Sequence, residues 1–182
     1  IDVSLVGSEM CIRDSYMAAV VHFLLRCRST NPEAHVMASI NARQPGPVPV
    51  TPLAGVIGAE VEVDLENLSD ADFEAVRTAF LEYLVLVFPG QRLSADQQTD
   101  FARRFGDLYL FPHAPGIEQN ADVLPINMPD GLRKGRWHSD ATFDAVPPAI
   151  SILAAQELPS RGGETAFANQ YAAYETLSEG MK

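Results

Sequence analysis

From Val50 onward, apolar and polar positions repeat along the chain with two different periods, and they predict alternating strands and helices. After Gly58, the residues Ala59-Glu60-Val61-Glu62-Val63 alternate apolar with acidic, so Val56–Val63 reads as a half-buried strand. Ser69 is placed to cap a helix, with Asp70 and Asp72 in its first turn, where the helix dipole favours negative charge. Phe73, Val76, Phe80 and Tyr83 then recur at helical spacing and give that helix one apolar face. Leu84–Phe88 is a continuous apolar run closed by Pro89-Gly90, which suits a strand covered on both faces. Ser94-Ala95-Asp96-Gln97 has the form of a capping box and opens a helix that carries Phe101 and Phe105 and stops at Gly106. Val123–Ile126 reads as a short strand and Ala149–Ala155 as another. Gly162-Gly163 turns the chain into Thr165-Ala166-Phe167, and Asn169 caps a last helix running to Leu177. No internal repeat or low-complexity segment is present.

The first 36 residues do not continue this pattern. Residues 1–15, IDVSLVGSEMCIRDS, resemble a translated sequencing-adapter segment, and the chain opens on Ile rather than Met. Met37 begins MASINARQPGPVPVTPL, a plausible native start with a Pro/Gly-rich lead-in. The expected organisation is a non-native leader over 1–36, a lead-in over 37–49 and a domain over 50–182. A genuine N-terminal extension with a short apolar helix is the alternative. The apolar stretch Ala18–Leu25 is interrupted by His22 and lacks a small-residue cleavage site, so it reads as non-secretory. The ending SEGMK carries no terminal signature, and the domain is expected to be a fragment.

Composition narrows the function classes. At 182 residues the chain can bury one sizeable core. With 13 Lys and Arg against 24 Asp and Glu, its net charge is -11, which repels phosphate backbones and argues against a nucleic-acid partner. The cysteines, Cys11 and Cys27, both precede the domain, so neither a disulfide framework nor a thiolate metal site is available to it. No apolar run reaches the roughly 20 residues that a membrane-spanning helix needs. A cytoplasmic protein acting on a small molecule fits these features.

The chemistry concentrates at His138-Ser139-Asp140. On a strand, residues i and i+2 point to one face, so an imidazole and a carboxylate can address one ion. That is two-thirds of the 2-His-1-carboxylate facial triad, a donor set that suits Fe(II) and leaves three coordination positions open. Taken alone, the tripeptide is served equally well by a histidine hydrogen-bonded to a neighbouring carboxylate.

Its setting is more specific. Trp137-His138-Ser139-Asp140-Ala141-Thr142-Phe143, Val146-Pro147-Pro148-Ala149, Ile152–Pro159 and Gly162-Gly163-Glu164-Thr165 together resemble the taurine dioxygenase (TauD/TfdA) family. Thr51-Pro52-Leu53, Ile57–Glu60, Phe88–Gln91 and Arg104-Phe105-Gly106 extend the likeness upstream, in matching order and spacing over residues 50–178. The resemblance implies a mainly β fold with flanking helices (α+β), built on a double-stranded β-helix (jelly-roll) core that is incomplete in this chain. It implies an Fe(II)/2-oxoglutarate-dependent dioxygenase that uses O2 to hydroxylate a small organic substrate, with decarboxylation of 2-oxoglutarate to succinate and CO2. By the same likeness His138 and Asp140 are iron ligands, and Thr165 hydrogen-bonds a carboxylate of 2-oxoglutarate. Trp137 either walls the site or belongs to the core. The family's second His ligand and its 2-oxoglutarate-binding Arg are expected beyond Lys182. His22 and His35 lie in the leader, and His113 precedes the motif as a loop residue, so none replaces that ligand. The resemblance leaves homo-oligomerisation open.

Two departures from the family pattern argue against taurine as substrate. Phe111 stands where an imidazole would help hold a sulfonate, and Lys134 replaces an Asn that precedes the Trp-His pair. The basic loop Arg133-Lys134-Gly135-Arg136 either attracts an anionic substrate or is simply a solvated loop. Two rival readings remain. One is a non-catalytic β-sandwich binding domain in which His138 and Asp140 are a structural pair. The other is a Zn(II) hydrolase, which the lack of an H-E-x-x-H motif or histidine cluster disfavours.

Overall fold

A computed structural model of the chain describes residues 2–6, 9–13, 18–23, 48–53, 57–110, 116–126, 137–157 and 165–182, with side chains described from residue 48 onward. The strands in chain order are β1 (Asp2–Val6), β2 (Glu9–Arg13), β3 (Ala18–Phe23), β4 (Val50–Pro52) and β5 (Ala59–Val61). Helix α1 (Asp70–Tyr83), β6 (Val85–Pro89) and α2 (Ala95–Arg103) follow, then β7 (Ile150–Ala154), β8 (Thr165–Ala168) and α3 (Gln170–Glu175). One sheet has the order β4-β5-β6-β3-β7 and the other β1-β2-β8. The pair β5–β6 is parallel and every other pairing is antiparallel. The architecture is thus mixed sheet with flanking helices, as the periodicities require.

Strand β6 explains the layering. Strand side chains alternate faces, so Leu86 and Phe88 point one way and join the main core with Phe73, Val76 and Phe80 of α1 and Phe101 of α2. Val85 and Val87 point the other way and meet Ile57 and Phe167 of β8. The expected doubly covered strand is therefore observed, with helices over one face and β8 over the other. Each such side chain, fully buried, contributes about 1.5–3 kcal/mol.

The helix caps match expectation. Ser69 accepts from the Asp72 amide, and Ser94 with Gln97 forms a complete capping box. Asn169 accepts from the Ala172 amide. The C-terminal ends differ by a few residues. Leu84, expected to open the strand, is instead the left-handed cap of α1, at φ 65°. Its amide bonds the Phe80 carbonyl at 2.8 Å, so β6 starts one residue later. Helix α2 ends at Arg103 rather than Gly106, because the amides of Phe105 and Gly106 reach back only three residues, to Ala102 and Arg103. Phe105 still packs edge-on against Phe73, with centroids 4.9 Å apart, and Arg104 lies 4.3 Å over the Phe73 ring. The last helix stops at Glu175, short of Leu177.

One expectation fails, and residues of the leader take places in both sheets. Val123–Ile126 is not a strand: the Ile117 amide bonds the Val123 carbonyl, and the Val123 amide bonds Asn120. That tight loop consumes the backbone groups a neighbouring strand would need, and Pro125 has no N–H to offer. The leader also participates in the sheets. Residues 18–23 lie between β6 and β7, with five register pairs on each side, and residues 9–12 pair with β8.

Candidate metal centre

His138 and Asp140 stand just before β7, in a stretch without regular secondary structure that enters a turn at Asp140. The strand expected to present them is absent, and the turn does that work instead. Ala141 adopts φ 48°, and the Asp144 amide bonds the Ala141 carbonyl at 3.0 Å. A left-handed residue without glycine reverses the chain here, and the buried Ala141 side chain holds the turn against the protein. His138 Nε2 comes within 3.2 Å of Asp140 Oδ1. The other carboxylate oxygen, Oδ2, accepts a hydrogen bond of 2.9 Å from Ser151 Oγ on β7. Asp140 is thus held from one side and open on the other.

The pair is accessible, with side chains 70% and 39% exposed. Close by in the sequence, Trp137, Phe143 and Val146 are 60%, 79% and 64% exposed. Trp137 is therefore not a core residue. One further contact ties down the turn: Tyr109 Oη donates to Asp144 Oδ2. That bond raises the Tyr109 phenol above its ordinary value of 10.0, since the neighbouring carboxylate favours the protonated hydroxyl.

The donors fit a divalent cation. Two ligand atoms each about 2.1 Å from a metal and at right angles to one another lie about 3 Å apart, close to the observed separation. An imidazole nitrogen with a carboxylate oxygen, and no thiolate, is a set suited to ferrous ion. Among the described residues, no third His, Cys, Asp or Glu joins them to make a three-ligand group. Thr165 begins β8 and is exposed, in the three-stranded sheet rather than the one that carries Ser151. Phe111, His113, the basic loop 133–136 and Gly162-Gly163 lie outside the described residues. So does His35, while His22 falls on β3. Neither the Ser151–Asp140 bond nor the Tyr109–Asp144 pair is apparent from the sequence. A lone Ser between Ile150 and Ile152 was the available signal for the first. For the second there was none, because the partners are 35 positions apart.

A fold of mixed sheet and flanking helices, with an imidazole–carboxylate pair on its rim, defines a candidate mononuclear metalloprotein. Residues 49–182 match the model of the taurine catabolism dioxygenase TauD, TfdA family, and the chain belongs to that family. It is 37% identical over 140 residues to an (S)-phenoxypropionate/alpha-ketoglutarate-dioxygenase of Sphingobium herbicidovorans, an alignment covering 73% of this chain and 49% of the relative. A protein of the same name from Delftia acidovorans is 34% identical over 146 residues, covering 73% and 50%. An alpha-ketoglutarate-dependent sulfate ester dioxygenase of Pseudomonas putida is 37% identical over 136 residues, covering 73% and 45%. The chain spans about half the length of these curated relatives.

Proposed function

We propose that the whole protein is an Fe(II)/2-oxoglutarate-dependent dioxygenase that hydroxylates a small anionic organic substrate, with His138 and Asp140 as two of its iron ligands. The observation that carries this reading is the approach of His138 Nε2 to Asp140 Oδ1 at metal-ligand separation, in a chain of this family. Ferrous iron, 2-oxoglutarate and O2 would supply the oxidation, yielding succinate and CO2 beside the hydroxylated product. The chain's own part is to fix the ion, orient the co-substrate and keep water from the reacting centre. In this reading Thr165 hydrogen-bonds a carboxylate of 2-oxoglutarate. Trp137, Phe143 and Val146 offer an apolar wall to the substrate's hydrocarbon part. The core is the jelly roll of the family, completed by segments outside this chain, and residues 1–36 are a non-native leader. A cytoplasmic location fits the same reading; among the described residues no helix is long and apolar enough to cross a membrane.

Anionic substrates are favoured because the similar proteins are named for phenoxypropionate and sulfate esters. The basic residues Arg133, Lys134 and Arg136, immediately before the pair, suit such charges. Phe111 and Lys134 disfavour taurine. The test is succinate release from 2-oxoglutarate by the complete reading frame, supplied with Fe(II) and an aryloxyalkanoate or alkyl sulfate. His138→Ala and Asp140→Ala are each expected to reduce it to background, and undiminished turnover in either variant would sink the assignment. The 182-residue chain alone is expected to bind metal weakly and to turn over nothing.

A further inference from the structure

We propose that Ser151 is a positioning residue for the metal centre: it selects which oxygen of Asp140 faces the ion. This inference rests on the reading of His138 and Asp140 as ligands and adds a residue to it. The case begins with strand alternation. Ile150 and Ile152 pack against the main core, so Ser151 between them projects from the opposite face of β7. The strand beneath it is anchored, since Gln98 of α2 donates to the Ile152 carbonyl at 3.1 Å. Ser151 Oγ therefore reaches out from a fixed support.

What it reaches is Asp140 Oδ2, at 2.9 Å. The hydroxyl donates and the carboxylate accepts, which occupies Oδ2 and turns Oδ1 toward His138 Nε2. A carboxylate on a turn would otherwise sample several rotamers and could present either oxygen or both. Held as it is, it offers one oxygen, and binding the ion need not first order the side chain. Ligating carboxylates owe much of their effectiveness to such outer hydrogen bonds. The bond spans 11 residues and joins the turn to the sheet, so a purely structural role for Ser151 is the alternative that must be separated from this one.

Co(II) titration of the complete reading frame, followed by visible absorption and calorimetry, separates them. Ser151→Ala is expected to weaken Co(II) binding about 10- to 100-fold and to alter the visible spectrum, as Asp140 becomes free to bind through both oxygens. Its thermal unfolding midpoint should stay at the wild-type value, and Ser151→Thr, which keeps the hydroxyl, should restore affinity and spectrum. His138→Ala and Asp140→Ala report on the underlying reading by abolishing binding. If they abolish it while Ser151→Ala binds like wild type, the positioning role is overturned and the ligand assignment stands. A Ser151→Ala chain that loses affinity only in proportion to lost folded protein also overturns it. If the complete wild-type protein binds no Co(II), or binds it without His138 and Asp140, both the reading and the inference fall.

Discussion

Removing residues 1–36 tests what joins the two halves of the larger sheet. Strand β3 lies between β6 and β7, with five register pairs on each side, so about ten ladder hydrogen bonds depend on it. At about 0.5–1.5 kcal/mol net each, they contribute about 10 kcal/mol. Fixing six backbone residues costs about 1–2 kcal/mol each, or about 9 kcal/mol in all. The two sums offset to within a few kcal/mol, so deletion should change overall stability little. Its effect should be local. Without β3, the strand still joined to β6 among the described residues is β5, through the pairs Ala59–Leu86 and Glu60–Val87. Among the described residues β7 then keeps no strand partner and rests on its packing and the Gln98 hydrogen bond. Hydrogen exchange of a 37–182 chain should therefore show protection lost at the β6 amides that face β3 and across Ile150–Ala154, and Co(II) binding should fall as β7 releases Ser151. If the leader is non-native, as proposed, the complete reading frame should fill the same slot with its own strand, and deleting 1–36 there should alter neither readout. Retained protection of both strands in the 37–182 chain would refute the idea that β3 joins them. Lost protection in the complete frame would refute the non-native leader.

Phe88→Ala removes a fully buried ring that packs edge-on against Phe101 at 6.0 Å. It should cost about 3–5 kcal/mol in urea unfolding, and a loss below about 1 kcal/mol would mean that the core has a different centre. Tyr109 offers a pH test. Its phenol is raised by the hydrogen bond to Asp144, so the contribution to stability is complete below the unfolded-state value near 10 and is lost as pH climbs through the folded value. The difference in 295 nm titration between wild type and Tyr109→Phe should have a midpoint above 10, and Asp144→Asn should lower it. A midpoint unmoved by that change would remove Asp144 as the cause.

The elements could be read from the sequence wherever local signals agreed with tertiary demand. The run Val85–Phe88 is apolar on both sides because helices cover one face and β8 the other, and that requirement is written in the residues themselves. The caps at Ser69, Ser94 and Asn169 are legible for the same reason: donor and acceptor lie three positions apart. Legibility failed where the outcome depended on distant partners. Val123–Ile126 carries strand-forming residues, yet its backbone is spent on Ile117 and Asn120. Leader residues 18–23 have an apolar pattern that says nothing of which strand edges they will meet. The His138–Asp140 pair falls between these cases. The spacing of His138 and Asp140 points to two side chains that do approach within 3.2 Å, yet a turn presents them and not the expected strand, because i and i+2 can converge from a turn as well as from a strand. The turn makes a different demand on its surroundings. A strand would hold both ligands through its ladder, whereas a turn residue needs an outside contact to settle its rotamer, and the described contact is Ser151. A turn in place of the expected strand therefore leaves the orientation of the Asp140 carboxylate to the hydroxyl behind it.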